Sequence, residues 1–365
     1  LCKLFSQQGY ISATVGYTLL NGQYNNSNIY RILDEITACI KAIKEELKSK
    51  RFDVNKLKMG IGGYSAGAHL ALLYSYLVKN INIIPIKFVI NFVGPIGLHE
   101  DYFYKLNNET EPLADIENLI IIEQAKKDGK LIPIYPFIYE LKFMNSFCGN
   151  KYNEEELNSM LYENGTINKE NNKYKELYKF VKHSYVTEIE DKNKLTTVCM
   201  YGGKDEVLGV STYAYLKQKA NKDGRYIFFF YSRYEGHMLI YATTLEGKET
   251  MRKVGYGIIN GLKSVFSDSN SKDYVSYFGE KYENLRYDVK GKIQNSFKKN
   301  GGENYIEDIG DLNDGKDYPS NEKNNYDLYI PKYALERKNE VNGVILWIHG
   351  GTWIEGDKSE MELYC

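Results

Sequence analysis

The stretch that most constrains this chain runs Met59-Gly60-Ile61-Gly62-Gly63-Tyr64-Ser65-Ala66-Gly67-Ala68-His69-Leu70-Ala71-Leu72-Leu73. It reads as a short apolar strand, a sharp turn at Ser65 and an apolar helix. Glycine two residues to either side, at Gly63 and Gly67, removes the β-carbons that such a turn cannot hold. Small Ala66, Gly67 and Ala68 let the helix start tightly against the strand. The Ala66 amide then lies at a helix N-terminus, where it can face a developing negative charge. A serine held this way is a candidate nucleophile. The plainer alternative is a glycine-rich turn with an incidental serine, and the flanking strand and helix weigh against it.

Around this turn the chain alternates strand and helix. Apolar, β-branched or aromatic runs predict strands at 10–15, 58–61, 88–93, 196–201, 226–231 and 344–348, and helical periodicity marks 29–48, 66–78, 210–220 and 241–266. Such alternation implies an α/β fold, a mostly parallel sheet with helices on both faces. The run Val344-Ile345-Leu346-Trp347-Ile348 has no polar member, as expected of a parallel strand covered on both sides.

Between residues 97 and 190 the rhythm breaks into polar sequence with helical patches at 117–127, 153–162 and 174–181 and an aromatic stretch at 134–139. A loop this long must carry structure of its own. It is expected to be a helical lid insertion over the site, with a separate structural subdomain as the alternative. Residues 267–272 read as a linker and 273–297 as a helix. Residues 300–325 are rich in Gly, Asn and Asp, and 325–331 form an edge strand stopped by Pro331.

A net charge of −1 supplies no field for nucleic acid or an anionic membrane, and no apolar run reaches the length of a membrane span. The five cysteines lack a C-x-x-C pair or metal-ligand spacing and are expected to be reduced thiols. The opening Leu1-Cys2-Lys3-Leu4-Phe5 has no signal-peptide layout, so no compartment is assigned. Oligomeric state stays open, a homo-oligomer included.

Two further strand ends carry chemistry. Gly202-Gly203-Lys204-Asp205 closes one strand and Glu235-Gly236-His237 follows the next. Ser65 would attack, His237 would take and return its proton, and Asp205 would fix the imidazole tautomer. The nearby Glu206 leaves open an ordinary acidic turn, and His237 could be a surface turn histidine. His69 reads as buried packing, while His99 and His183 lie in the inserted segment without a partner motif. At 349–353, His-Gly-Gly-Thr-Trp ends the all-apolar strand. Its glycine pair lets the amides of Gly350, Gly351 and Thr352 turn toward one point and complete an oxyanion hole with Ala66.

Taken together, Gly63–Gly67, Gly202–Asp205, Gly236-His237 and His349–Trp353 resemble the α/β-hydrolase fold serine esterases and lipases of the hormone-sensitive-lipase and carboxylesterase group. The resemblance implies carboxylic-ester hydrolysis through an acyl-enzyme, with no cofactor and no metal. In that family the His-Gly-Gly loop precedes the serine, whereas here it follows it. Joining residue 365 to residue 1 restores the order. The chain therefore reads as one circularly permuted domain over 1–365, with 273–365 as the family's N-terminal segment; a slice across two tandem domains would read the same. Expected substrates are short acyl or aryl esters, including acetyl or feruloyl esters on plant polysaccharide. An arylformamidase-like amidase shares the motifs, and a non-catalytic binding protein on this fold is the remaining alternative.

Overall fold

The computed structural model describes residues 2–23, 27–78, 83–107, 111–113, 116–190, 194–266, 323–331, 334–335 and 341–358, with strand pieces at 291–292, 296–297 and 318–319. The strands are β1 (Tyr10–Val15), β2 (Met59–Tyr64), β3 (Ile86–Phe92), β4 (Tyr104–Leu106), β5 (Leu131–Pro133), β6 (Thr196–Gly202), β7 (Ile227–Ser232), β8 (Gly291–Lys292), β9 (Ser296–Phe297), β10 (Tyr318–Pro319), β11 (Asn325–Tyr329) and β12 (Gly343–Ile348). The helices are α1 (Cys2–Gln7), α2 (Ile29–Ser49), α3 (Ala66–Leu77), α4 (Leu119–Lys127), α5 (Phe137–Phe147), α6 (Glu154–Asn158), α7 (Asn172–Val181), α8 (Ser211–Asp223) and α9 (Leu245–Phe266).

Eight strands form one sheet in the order β7-β6-β3-β2-β12-β1-β11-β8. The run from β7 to β1 is parallel throughout, and β11 and β8 are added antiparallel at one side. This is an α/β architecture. Helices α1 and α9 lie on one face, where Phe5 meets Trp347 and Phe266 meets Tyr10. Helices α2, α3 and α8 cover the other, through Thr37–Tyr74, Tyr76–Thr197 and Tyr213–Phe229.

The all-apolar strand β12 lies in the middle of the sheet. Val344 pairs with Met59 and Ile11, and Ile348 pairs with Gly63 and Val15. Val344 through Ile348 are each 0% exposed. At ~1.5–3 kcal/mol per large apolar side chain removed from water, this burial fixes the strand's place. Pleating sends Ile345 and Trp347 toward α1 and α9 and their neighbours toward α3.

Residues 97–190 carry α4 to α7 and the antiparallel pair β4–β5. Phe143 and Phe147 of α5 meet Trp353 edge-on, with centroids 6.1 and 4.9 Å away. The segment thus packs on the loop that follows β12. Helix α5 has no counterpart among the expected helical patches, residues 134–139 being read only as an aromatic stretch; Pro136 occupies its N-cap and Leu141, Met144 and Phe147 bury its inner face. Helix α6 is shorter than expected, stopping at Asn158.

Two expectations on the C-terminal side are corrected. Within the stretch 273–297 expected to be helical, the described residues Gly291–Lys292 and Ser296–Phe297 are strands, the first pairing with β11. Gly291 is a weak helix residue, and an open strand edge offers its backbone an alternative. In consequence β11 is not the edge: β8 lies outside it. The linker at 267–272, most of 273–325 and the junction of residues 359–365 with residue 1 lie outside the described residues. Among the described residues no helix is long and apolar enough to cross a membrane.

Candidate active site

Strand β2 delivers Ser65 to the first turn of α3. Ser65 has φ 53° and ψ −121°, in the half of backbone space that side chains rarely adopt, at about 1–3 kcal/mol. Its amide donates to the Phe92 carbonyl at 2.9 Å, and its own carbonyl accepts from the Ala68 and His69 amides at 3.0 and 3.1 Å. A β-carbon on Gly63 would lie 2.3 Å from the Gly67 carbonyl carbon, and one on Gly67 would lie 2.1 Å from the Ile348 oxygen. Both contacts are with backbone, so only glycine fits, and the turn abuts the end of β12.

Asp205 follows β6 and His237 follows β7, on neighbouring parallel strands that end at the same side of the sheet. Ser65 Oγ lies 3.1 Å from His237 Nε2. His237 Nδ1 donates to Asp205 Oδ2 at 2.9 Å, which places the second nitrogen toward the serine as acceptor. Asp205 Oδ1 accepts from the Val207 and Leu208 amides, each at 2.8 Å, so the carboxylate is held with one oxygen left for the imidazole. All three side chains are buried, at 6%, 1% and 7% exposure for Ser65, Asp205 and His237. Tyr64 donates its hydroxyl to the His237 carbonyl and sets its ring edge-on to the imidazole at 5.7 Å.

The loop after β12 comes up beside the serine. A β-carbon on Gly350 would lie 3.3 Å from Ser65 Cβ. Gly351, Thr352 and Trp353 all take positive φ (104°, 49° and 64°), a tight backbone reversal. Among the described residues no acceptor takes the amides of Gly350, Gly351 or Thr352. The amide of Ala66 belongs to the first turn of α3, which has no partner inside the helix. The predicted residues Ala66, Gly350, Gly351 and Thr352 thus lie on two adjoining backbone segments at the serine.

This loop is braced from below by residues absent from the sequence reading. Tyr17 stacks on His349, with centroids 4.3 Å apart and planes within 8°, and its hydroxyl reaches the His349 and Gly350 carbonyls at 3.3 and 3.4 Å. The Leu20 amide donates to the Trp353 carbonyl at 2.8 Å. The chain at 17–20 is tied in turn to a buried ion pair. Glu35 accepts from Arg31 Nε at 2.9 Å and from the Thr18 amide at 2.7 Å. Burial pushes the Glu35 carboxyl up, against the opposing pull of Arg31. Charged Arg31 and Glu35, one turn apart on an otherwise apolar side of α2, are the only sequence signal for this support.

The other histidines take different places. His69 is fully buried and donates Nε2–H to the Ser184 carbonyl at 2.8 Å, and burial lowers its pKa to about 4. His349 is likewise lowered to about 4 by burial and donates Nδ1–H to the Gly350 carbonyl at 2.7 Å. His99 pairs with Asp101 at 3.3 Å. Among the described residues His237 is the one histidine hydrogen-bonded to Ser65. The inserted segment also reaches this region: burial raises the Tyr135 phenol, and the charges of Asp205 and Glu206 add to the shift. Among the described residues no group of three or more His, Cys, Asp and Glu side chains is disposed to hold a metal ion.

No family model and no curated protein matches this sequence. Among solved structures the chain is similar to vibralactone cyclase, at 13% identity and a TM-score of 0.35, over 66% of this chain and 60% of that one. The match thus spans less than two thirds of that protein.

Proposed function

We propose that this protein is a serine hydrolase of carboxylic esters. The observation that carries the reading is the hydrogen-bonded series from Ser65 Oγ through both nitrogens of His237 to Asp205 Oδ2. In it Ser65 attacks the ester carbonyl while its proton passes to His237 Nε2. Asp205 holds the imidazole tautomer and offsets the positive charge that forms. The tetrahedral oxyanion is met by the amides of Ala66 and of Gly350, Gly351 and Thr352. His237 then protonates the leaving alcohol, and water, deprotonated by the same imidazole, releases the acid from Ser65. No cofactor is required.

Further parts of the reading rest on the same frame. Residues 97–190 serve as a lid, supported by the packing of α5 on Trp353. The chain is one permuted hydrolase domain, supported by the parallel insertion of β12 between β1 and β2. The substrates are short acyl or aryl esters, with acetyl or feruloyl esters of polysaccharide as the class suited to the aromatic stretch at 134–139. A chain-length series of p-nitrophenyl esters, run on wild type and Ser65→Ala, tests the chemistry. A fluorophosphonate should label Ser65 alone. Turnover that persists in Ser65→Ala, or a label elsewhere, would overturn the assignment.

A further inference from the structure

A second concave feature lies on the inserted segment, lined by none of the residues assigned to the chemistry. It is a groove of about 450 Å³ lined by His99, Lys169, Tyr174, Lys175, Tyr178, Lys179 and Lys182. Four lysines line one groove of a protein whose net charge is −1, so the positive charge is local. Lys175, Lys179 and Lys182 recur at i, i+4 and i+7 along α7 and the 3₁₀ turn Lys182–Ser184 that continues it. At 1.5 Å rise per residue this is a ridge of charges about 4.5–6 Å apart along the axis.

The acidic groups nearby form close ion pairs with only half of these lysines, Glu140 and Glu188 lying beside Tyr178 without such a pair to Lys179 or Lys182. Lys169 pairs with Glu100 at 3.6 Å and Lys175 with Glu170 at 2.6 Å, while His99 faces Asp101. Among the described residues Lys179 and Lys182 have no acidic partner within 4 Å. Holding like charges side by side works against the fold, which points to a ligand that brings the missing negative charge.

We infer that this groove binds an acidic glycan, a sugar chain carrying carboxylates, and so deepens the polysaccharide-ester reading on which it rests. Lysines act as separate point charges and suit carboxylates spread along a flexible chain, whereas recognition by planar fork would call for arginine. Tyr174 is buried and Tyr178 half-buried, stacked on each other at 6.1 Å, so neither presents the open ring face that single-stranded nucleic acid uses. The groove is tied to the serine's own helix: Ser184, the last residue of the 3₁₀ turn, accepts from His69 of α3. A glycan held along α7 is thereby anchored on the element that carries the elbow.

The test is calorimetric titration of the full chain with a de-esterified oligogalacturonide, with citrate and poly-glutamate as parallel probes. Oligogalacturonide should bind, weaken as salt rises from 0.05 to about 0.5 M, and lose at least about tenfold in affinity in the Lys179→Glu/Lys182→Glu double variant. The control Lys41→Glu/Lys127→Glu makes the same change in net charge at exposed sites elsewhere and should bind as wild type. Melting temperature confirms that both variants fold. Absent binding, equal loss in the control pair, or tighter binding of citrate or poly-glutamate would overturn the inference. Turnover of neutral p-nitrophenyl acetate by the unaltered protein is measured beside it. That reading stands or falls on Ser65 alone, so the two failures are distinguishable.

Discussion

The strained backbone at Ser65 can be measured directly by comparing Ser65→Gly with Ser65→Ala. Both substitutions delete Oγ and its bond to His237, so that loss cancels between them. Neither disturbs a cap, because the Ser65 side chain makes no capping hydrogen bond. What differs is the β-carbon. At an ordinary position alanine is the more stable by ~0.5–1 kcal/mol, since glycine leaves the unfolded chain more freedom. At φ 53° a β-carbon adds roughly 1–3 kcal/mol of strain that glycine escapes. The difference leaves Ser65→Gly ahead by about 1 kcal/mol, or ~1–2 °C in melting temperature for a chain of this length. Urea unfolding of the two proteins side by side reads this value, and neither should hydrolyse esters. If Ser65→Ala is the more stable, the turn is not strained and the elbow reading of the serine fails with it.

Other perturbations follow from the same geometry. Gly67→Ala drives a β-carbon into the Ile348 carbonyl and should cost about 1–3 kcal/mol in urea unfolding, with turnover falling as the end of β12 shifts. Tyr17→Ala removes the stack under His349 and should lower kcat roughly 10-fold to 100-fold with little change in KM. Tyr17→Phe keeps the stack and should stay near wild type, so equal losses in both would refute a positioning role. Burial, and next the charge of Glu100, push the Glu140 carboxyl up to about 8. The native state therefore keeps a proton that the unfolded chain releases above about pH 4.3, and this group's contribution to stability declines as pH rises from there toward 8. Glu140→Gln should accordingly be more stable than wild type at pH 9 and nearly equal at pH 5, by thermal melts across that range. His69 and His349 act on the acid side: held near 4, they withdraw stability as pH falls from about 6.5 toward 4. A shallower acid limb in His69→Phe, with the share of His349 remaining, would check the sign.

Much of the sheet is legible because strand signals here are local. The run 344–348 has no polar residue to make its face ambiguous, and 10–15 carries small or β-branched residues at every position after Tyr10, so both announce burial and both are buried. The elbow is legible because a steric requirement is written in two glycines at fixed offsets from one serine. The bracing of the 349–353 loop is not. Tyr17 and His349 stand at opposite ends of the chain, and stacking between them leaves no periodicity in either neighbourhood. Helix α5 was hidden for a related reason, since its aromatic residues serve Trp353 and Tyr135 as much as its own helical face. Strand β8 escapes because two residues carry no pattern, and the open edge of β11 does the recruiting.

The central position of β12 also bears on how the chain reaches this structure. Strand β2 ends at Tyr64, yet its neighbour in the sheet begins at Gly343. Contacts of such long sequence separation form slowly, because a large loop must close before any apolar surface is gained. Until β12 arrives, β1 and β2 each present a raw hydrogen-bonding edge, a template for pairing with another copy of the chain. Truncation before residue 343 would thus leave two open half-sheets prone to stick to their own kind, with no shortened version of the fold to settle into. Concentration during refolding, more than temperature, should decide how much soluble protein is recovered.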